Sequence, residues 1–511
     1  MKKTSILIIS MLILFGISGC INEEIENKTD GYNLIISFGQ DIFNGFYPWM
    51  DFINQQTISI NSNIFNSLVE FDQGYQILPT LAESWNNPNN LTWRFNLRKD
   101  IKFHDGNNFS AGDVKYSIEL IKKDENNTLN NFLSMVKEVI IIDDFTVDIV
   151  TFEPYPLLLN KLVHIFIVSK QNYGELSDPI GTGAYRFSDY SKDDYLLLER
   201  FEGYWREKPE FQNVKFKFFD SYEDQLNNFL NGKVDIIDII DPKDYDNLSK
   251  KPGIKLLPFT FNTVAYLGFN FVENNPFFDV SVRKAIYHAI NIDEIIDNAL
   301  DGYAEPASQY VSHYIFGYNP QINRLSHDLE KARQYMKNAG YEDGFEITLD
   351  CRDSELRENA SRIISDQLSL INITVKVNIL SRNDFYSKIS DRESFFYFVG
   401  WAVDSGDAGE IFDNILRSVD IKKGFGISNF GNYSNPFIDE IAEDIFYNLN
   451  PEERLFLMKE GFFIAMEDVA CVPLYILKSY CAITDDISFS VRADGLIKIE
   501  NIKIDKRINT I

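Results

Sequence analysis

The chain has 511 residues, with 49 Lys and Arg against 76 Asp and Glu and a net charge of −27. That length exceeds what one hydrophobic core supports and predicts two or three domains. Such an acidic balance argues against nucleic acid, because phosphate binding needs concentrated Lys and Arg, and against flat docking on anionic lipid.

At the N-terminus, Lys2 and Lys3 precede "SILIISMLILFGIS", an apolar run too short for a membrane span and closed by small residues. This reads as a signal peptide over 1–19. The ending "ISGC" resembles a lipobox, which places cleavage before Cys20 and a diacylglycerol on its thiol. A plain secretory cleavage with an incidental cysteine is the alternative. Two acyl chains anchor stably, so residues 20–30 become a polar tether and the body stands outside the cell on the membrane face. With Cys20 lipidated, Cys351, Cys471 and Cys481 remain. None has CxxC spacing, so a zinc or redox site is not expected; Cys471 and Cys481 either bridge a hairpin or stay as buried thiols.

Further along, "NLIISF" at 33–38 reads as a buried strand and "GQDIFNGFYPWM" as an aromatic loop. Residues 55–71 show helical spacing through Ile58, Ile60, Ile64, Phe65, Leu68 and Val69. "LTWRFNL" alternates like a half-buried strand. Ser110 followed by Asp113 is a capping-box-like start for a helix that buries Val114, Ile118 and Ile121. The segment 214–240 reads as strand, helix, buried strand, a βαβ unit. Two short helices follow over 280–300, the first burying Val282, Ala285, Ile286, Ala289 and Ile290. Gly340 stops the next helix as its C′ residue. Helix–strand pairs continue, with a helix around 451–468 and strands around 471–483. No Gly/Ser linker interrupts the body, so the domain joints are expected to be strand crossings.

One short stretch, "FHDG" at 103–106, mimics a base and its orienter. Neighbours on a strand point to opposite faces, so His104 and Asp105 are poorly placed for that pairing. No GxSxG, HExxH or SxxK-plus-partner set occurs elsewhere. A secreted hydrolase is therefore not expected, and neither is a cofactor.

The order of motifs resembles family 5 extracellular solute-binding proteins, the binding components of dipeptide, oligopeptide and nickel ABC importers. The resemblance is carried by "LVEFDQGYQILPTLAESW", "WRFNLRKDIKFHDGNNFSAGDVKYSI", "DPIGTGAYRF", "RFEGYWREKPEFQNVKF", "YLGFNF", "PFFDVSVRKAIYHAINIDEI", "EKARQYMKNAGYEDGFEITL", "FGNYSNPFIDEI" and "VPLYI". Phe201 and Glu202 depart from the family's N-x-x-Y-W segment. The resemblance implies an α/β type II periplasmic-binding-protein fold with two lobes joined by crossing strands. It implies lobe I over 31–60, 180–268 and 487–511, a domain inserted into lobe I over 61–179, and lobe II over 269–486. It also makes "FHDG" a scaffold turn.

The same resemblance implies a solute held between closing lobes. In "GWAVDSGDAG", Trp401 and Asp404 match the stretch whose acid pairs with a peptide's ammonium in dipeptide-binding relatives; capping a turn is the alternative for Asp404. Arg352 and Arg357 are candidate carboxylate partners, or surface ion pairs. His164 falls near a cleft arginine of nickel-binding relatives, or is a core histidine. Phe43, Tyr47 and Trp49 line the cleft or pack the lobe's edge, and Tyr433 faces the cleft or is structural. With five histidines and no paired spacing, metal ligation by protein is not expected. The implied function is a monomeric, lipid-anchored receptor passing a peptide or similar solute to a permease. A nickel chelate, a cellobiose-like sugar, or a role feeding a membrane sensor are the alternatives.

Overall fold

The computed structural model describes residues 33–41, 43, 55–125, 127–171 and 179–505. Cys20, Tyr47 and Trp49 lie outside the described residues.

Two α/β halves share one mixed sheet of 11 strands. Two long antiparallel strands, Ile254–Phe269 and Cys471–Thr484, cross from one half to the other. Their pairing shifts register between Thr260 and Val264. An irregularity there lets each strand's two ends join differently twisted sheets. On one side lie Ile236–Ile237, Asn33–Phe38, Asn213–Phe218, Tyr195–Arg200 and Tyr185–Ser191; on the other lie Phe396–Ala402, Phe345–Arg352 and Ile373–Leu380. The predicted βαβ unit forms, with Asn33–Phe38 seated between its two strands and parallel to both. A separate four-stranded sheet, built from Ala82–Asn89, Thr92–Leu97, Thr146–Thr151 and Val136–Asp143, packs Trp93, Phe95, Val147 and Ile149 inward with Val114, Ile118 and Ile121 of the helix Ala111–Lys123. That helix starts as expected: the Asp113 carboxylate accepts from the Ser110 N–H at 2.9 Å and from its hydroxyl at 2.8 Å.

Cys471 and Cys481 are buried free thiols on one continuous strand. Ten residues of strand separate them by about 33 Å, which rules out the hairpin bridge. The helix expected over 55–71 covers only Gln55–Ile64. Beyond it, Val69–Phe71 pairs with Ile77–Pro79. Turn chemistry decides this: the Asp72 carboxylate accepts from the N–H groups of Gly74 at 2.7 Å and Gln76 at 2.9 Å, and Tyr75 takes φ 66°. The hairpin tip then plants Phe71 and Tyr75 in the core of the second half.

The "FHDG" turn serves the frame. His104 Nδ1 accepts from the Gly181 N–H at 3.3 Å, and Nε2 lies 3.1 Å from the Gly183 carbonyl. This pins the "GTGAY" turn, whose Gly183 N–H caps the helix at the Ile64 carbonyl, 2.8 Å away. A Cβ on Gly183 would lie 2.3 Å from the Asn63 carbonyl oxygen, so the approach requires glycine. Asp105 turns away to accept from Asn107. One ring nitrogen accepts, so His104 must be neutral, and burial accordingly pushes its pKa down to about 4 while the Gly183 carbonyl opposes the shift. The unfolded ring titrates near 6.5 and binds the extra proton first. Stability contributed here is complete above about pH 6.5 and declines as pH falls toward 4, at up to about 1.4 kcal/mol per pH unit. Chemical denaturation from pH 7 to 4.5 is expected to show a shallower acid loss in His104→Gln than in the wild type.

Candidate functional site

The helix Gln55–Ile64 is unusually polar, with Thr57, Ser59, Asn61, Ser62 and Asn63 all buried. These groups hold the C-terminal segment. Asn63 donates to the Ile497 carbonyl at 2.8 Å and accepts from the Ile499 N–H at 2.9 Å, and Lys498 Nζ donates to the Ser62 carbonyl at 2.8 Å. Between helix and segment opens a cavity of about 280 Å³, with Ile58, Phe71, Val163, Phe166 and Leu496 among its apolar walls. Asp404 reaches it from the second half.

Asp404 sits on the loop following the strand Phe396–Ala402. The loop is held from three sides. Arg454 clamps Asp407 with two bonds of 2.8 and 2.9 Å. Phe316 brackets it, donating to the Gly406 carbonyl at 3.0 Å and accepting from the Ala408 N–H at 2.8 Å. Asn160 donates to the Ser405 carbonyl at 2.7 Å. The Asp404 side chain is reached by solvent yet walled by protein. Lost hydration therefore pushes its carboxyl pKa upward, against weaker opposing pulls from Asn262 and Lys161. Its donor, Asn262 Nδ2, is a long 3.5 Å away and lies closer, at 2.8 Å, to the Tyr75 hydroxyl.

The other candidates distribute as follows. His164 lines the same cavity, edge-on to Phe71 at 6.0 Å and Phe132 at 5.7 Å. Burial, then Lys161, pushes its pKa down to about 3, so it is neutral. Arg357 lies in the first turn of the helix Glu355–Ser369, after the strand Phe345–Arg352, and over the Phe398 ring at 5.7 Å. A Cβ on Gly400 would stand 3.3 Å from its Nη2. Burial and then the neighbouring Arg352 charge lower its pKa. Among the described residues, Arg357 Nη1, Arg352 Nε and the Trp401 indole N–H are buried without a hydrogen-bond partner. Trp401 is half-buried and pairs with Val264; alternation turns it to the face opposite Gly400. Phe43 packs edge-on to Tyr190 at 5.5 Å, at the border of the first core. Tyr433 is placed in the second core, its hydroxyl donating to Asp468 at 2.9 Å and its ring against Phe271. Sequence reasoning missed Tyr75, Asn262, Arg492 and Lys498. Nothing local marks them, since the cavity joins segments more than 400 residues apart.

A frame of two α/β halves with crossing strands and a carboxylate between them defines a binding protein. Residues 76–423 match the family described as bacterial extracellular solute-binding proteins, family 5 middle. The dipeptide-binding protein of Escherichia coli K12 is 28% identical over 436 residues, 78% of this chain and 81% of that protein. HbpA2 from Haemophilus parasuis superposes with a TM-score of 0.85 at 22% identity, over 93% of this chain and all of that one. DppA from Helicobacter pylori, solved with the peptide STSA, gives 0.72 at 23% identity, over 93% of this chain and 98% of the other. This chain belongs to the family 5 extracellular solute-binding proteins; it binds a solute and is not an enzyme.

Proposed function

We propose that the protein is the lipid-anchored receptor of an ABC importer and captures a short peptide, or a similar zwitterion, between its lobes for delivery to a permease. Asp404 takes the ammonium and Arg357, with Arg352 behind it, takes the carboxylate. The observation that carries this is a carboxylate that opens on the cavity between the halves and receives one long bond. An uncompensated charge in such surroundings is costly, and a ligand cation removes the cost. Gly400, beside Arg357, and Asp404 stand four residues apart along the chain, at most about 14 Å, the span of a peptide of roughly two to four residues. In the boundaries we propose, the lobes are 31–60 with 180–268 and 487–511, and 269–486, and the inserted domain is 61–179.

Native mass spectrometry of protein purified from its host tests the ligand class. A retained mass matching a short peptide supports the reading, and a retained nickel chelate or sugar overturns it. The anchor is tested separately. Cys20→Ser is expected to move the protein from the membrane pellet to the soluble fraction and to abolish a diacylglycerol adduct on the mature N-terminus. Unchanged fractionation would defeat the anchor.

A further inference from the structure

We propose that the cavity beside Asp404 is a selectivity pocket for the side chain adjoining the solute's ammonium, and that it admits uncharged, apolar side chains and rejects charged ones. The proposal rests on the reading of Asp404 as the ammonium partner.

The charged groups on the cavity wall are committed within the protein. Arg492 Nε donates to Asp494 at 2.8 Å, and its Nη2 donates to the Phe71 carbonyl at 2.9 Å. Lys498 donates to the Ser62 carbonyl and faces Glu70 at 3.8 Å, while Arg206 holds Glu70 at 2.7 Å. Arg206 also faces Glu500 at 3.5 Å, so three cations stand against three carboxylates. The wall hydroxyls behave alike: Ser62 donates to the Ser59 carbonyl and Ser67 to the Val69 carbonyl. Asp404 is the exception, with its 3.5 Å donor. Once an ammonium engages Asp404, the cavity has no free countercharge to offer a second charged group, which would be desolvated without compensation. What remains is mostly apolar wall, with the uncharged groups of Gln55, Asn66 and Tyr75 between, and volume. About 280 Å³ is many times the roughly 10–15 Å³ that one water needs on this measure, enough for a leucine- or phenylalanine-sized group.

Calorimetric titration of the mature protein with Phe-Gly, Leu-Gly, Gly-Gly, Asp-Gly and Lys-Gly tests this. Phe-Gly and Leu-Gly are expected to bind about 10- to 100-fold tighter than Gly-Gly, the factor that burial of one such side chain provides. Asp-Gly and Lys-Gly are expected to bind more weakly than Gly-Gly. Ile58→Trp, or Leu496→Trp from the opposite wall, fills the pocket and is expected to bring Phe-Gly and Leu-Gly to the affinity of Gly-Gly measured on the same variant. Both side chains are half-buried, so either variant is tolerated more readily than a change in the core. Equal affinities across the series, or an apolar preference surviving both variants, overturns the pocket while leaving Asp404 as the ammonium partner. Failure of every peptide to bind removes the Asp404 reading, and the pocket with it.

Discussion

Asp404→Asn is expected to weaken the binding of an ammonium-bearing peptide by 100-fold or more while leaving the apo protein at least as stable. Both parts follow from one environment. The carboxylate is reached by solvent but crowded by surrounding protein, which raises its pKa, and it receives one long hydrogen bond, from Asn262. Its raised pKa means that the folded state binds the proton more readily than the unfolded state. The ionised group therefore costs folding free energy as pH rises through the interval between its ordinary and raised values. Asn removes that cost and keeps the shape. The complex loses the countercharge of a desolvated ammonium, typically a loss of about 2–5 kcal/mol. Affinity in the wild type should also fall as pH drops through the raised carboxyl value, and the Asn variant should lack that dependence. Calorimetry at pH 7 and near pH 4, with thermal melts of both apo proteins, reads all three effects. Undiminished affinity in the variant would sink the assignment.

Arg454→Met is expected to destabilise the protein by about 3–5 kcal/mol, the cost of stranding a buried carboxylate. The Arg454 and Asp407 side chains are 6% and 3% exposed. Their paired bonds are joined by one from Arg454 Nε to the Ile445 carbonyl at 3.1 Å. Asp407 also accepts from the Gly409 N–H at 2.8 Å, so losing the arginine frees the loop that aims Asp404. Denaturant melts should show the stability loss, and peptide titration a weaker affinity in the molecules that remain folded. Adding Asp407→Asn should recover part of the stability, because the amide needs no countercharge. Arg454→Lys should recover little, because an ammonium cannot supply the two-pronged geometry. A melt unchanged in Arg454→Met would show that the pair does not support the loop.

Local chemistry was readable wherever neighbouring residues decide the outcome. The Ser110–Asp113 start, the inward face Val114–Ile118–Ile121 and the Gly340 stop at φ 78° follow from spacing alone. The overlong helix at 55–71 failed because periodicity carried no information about the Asp72 turn that claims the backbone beyond it. The pairing of Cys471 with Cys481 stayed open because spacing does not distinguish a hairpin from a single 14-residue strand. Asp404 was singled out by a short motif. The wall it faces was not, because Tyr75, Arg492 and Lys498 are brought there by the packing of a hairpin and a C-terminal segment against a polar helix.

By itself, the amino-acid sequence determined the class of frame and the order of its helices and strands, and singled out one candidate carboxylate, because these depend on short-range pattern. Tertiary structure alone decided which charges are closely paired within the protein and which, like Asp404, receive a single long bond. Charge compensation is a property of groups brought within a few ångströms of each other, and the groups that matter here lie hundreds of residues apart along the chain.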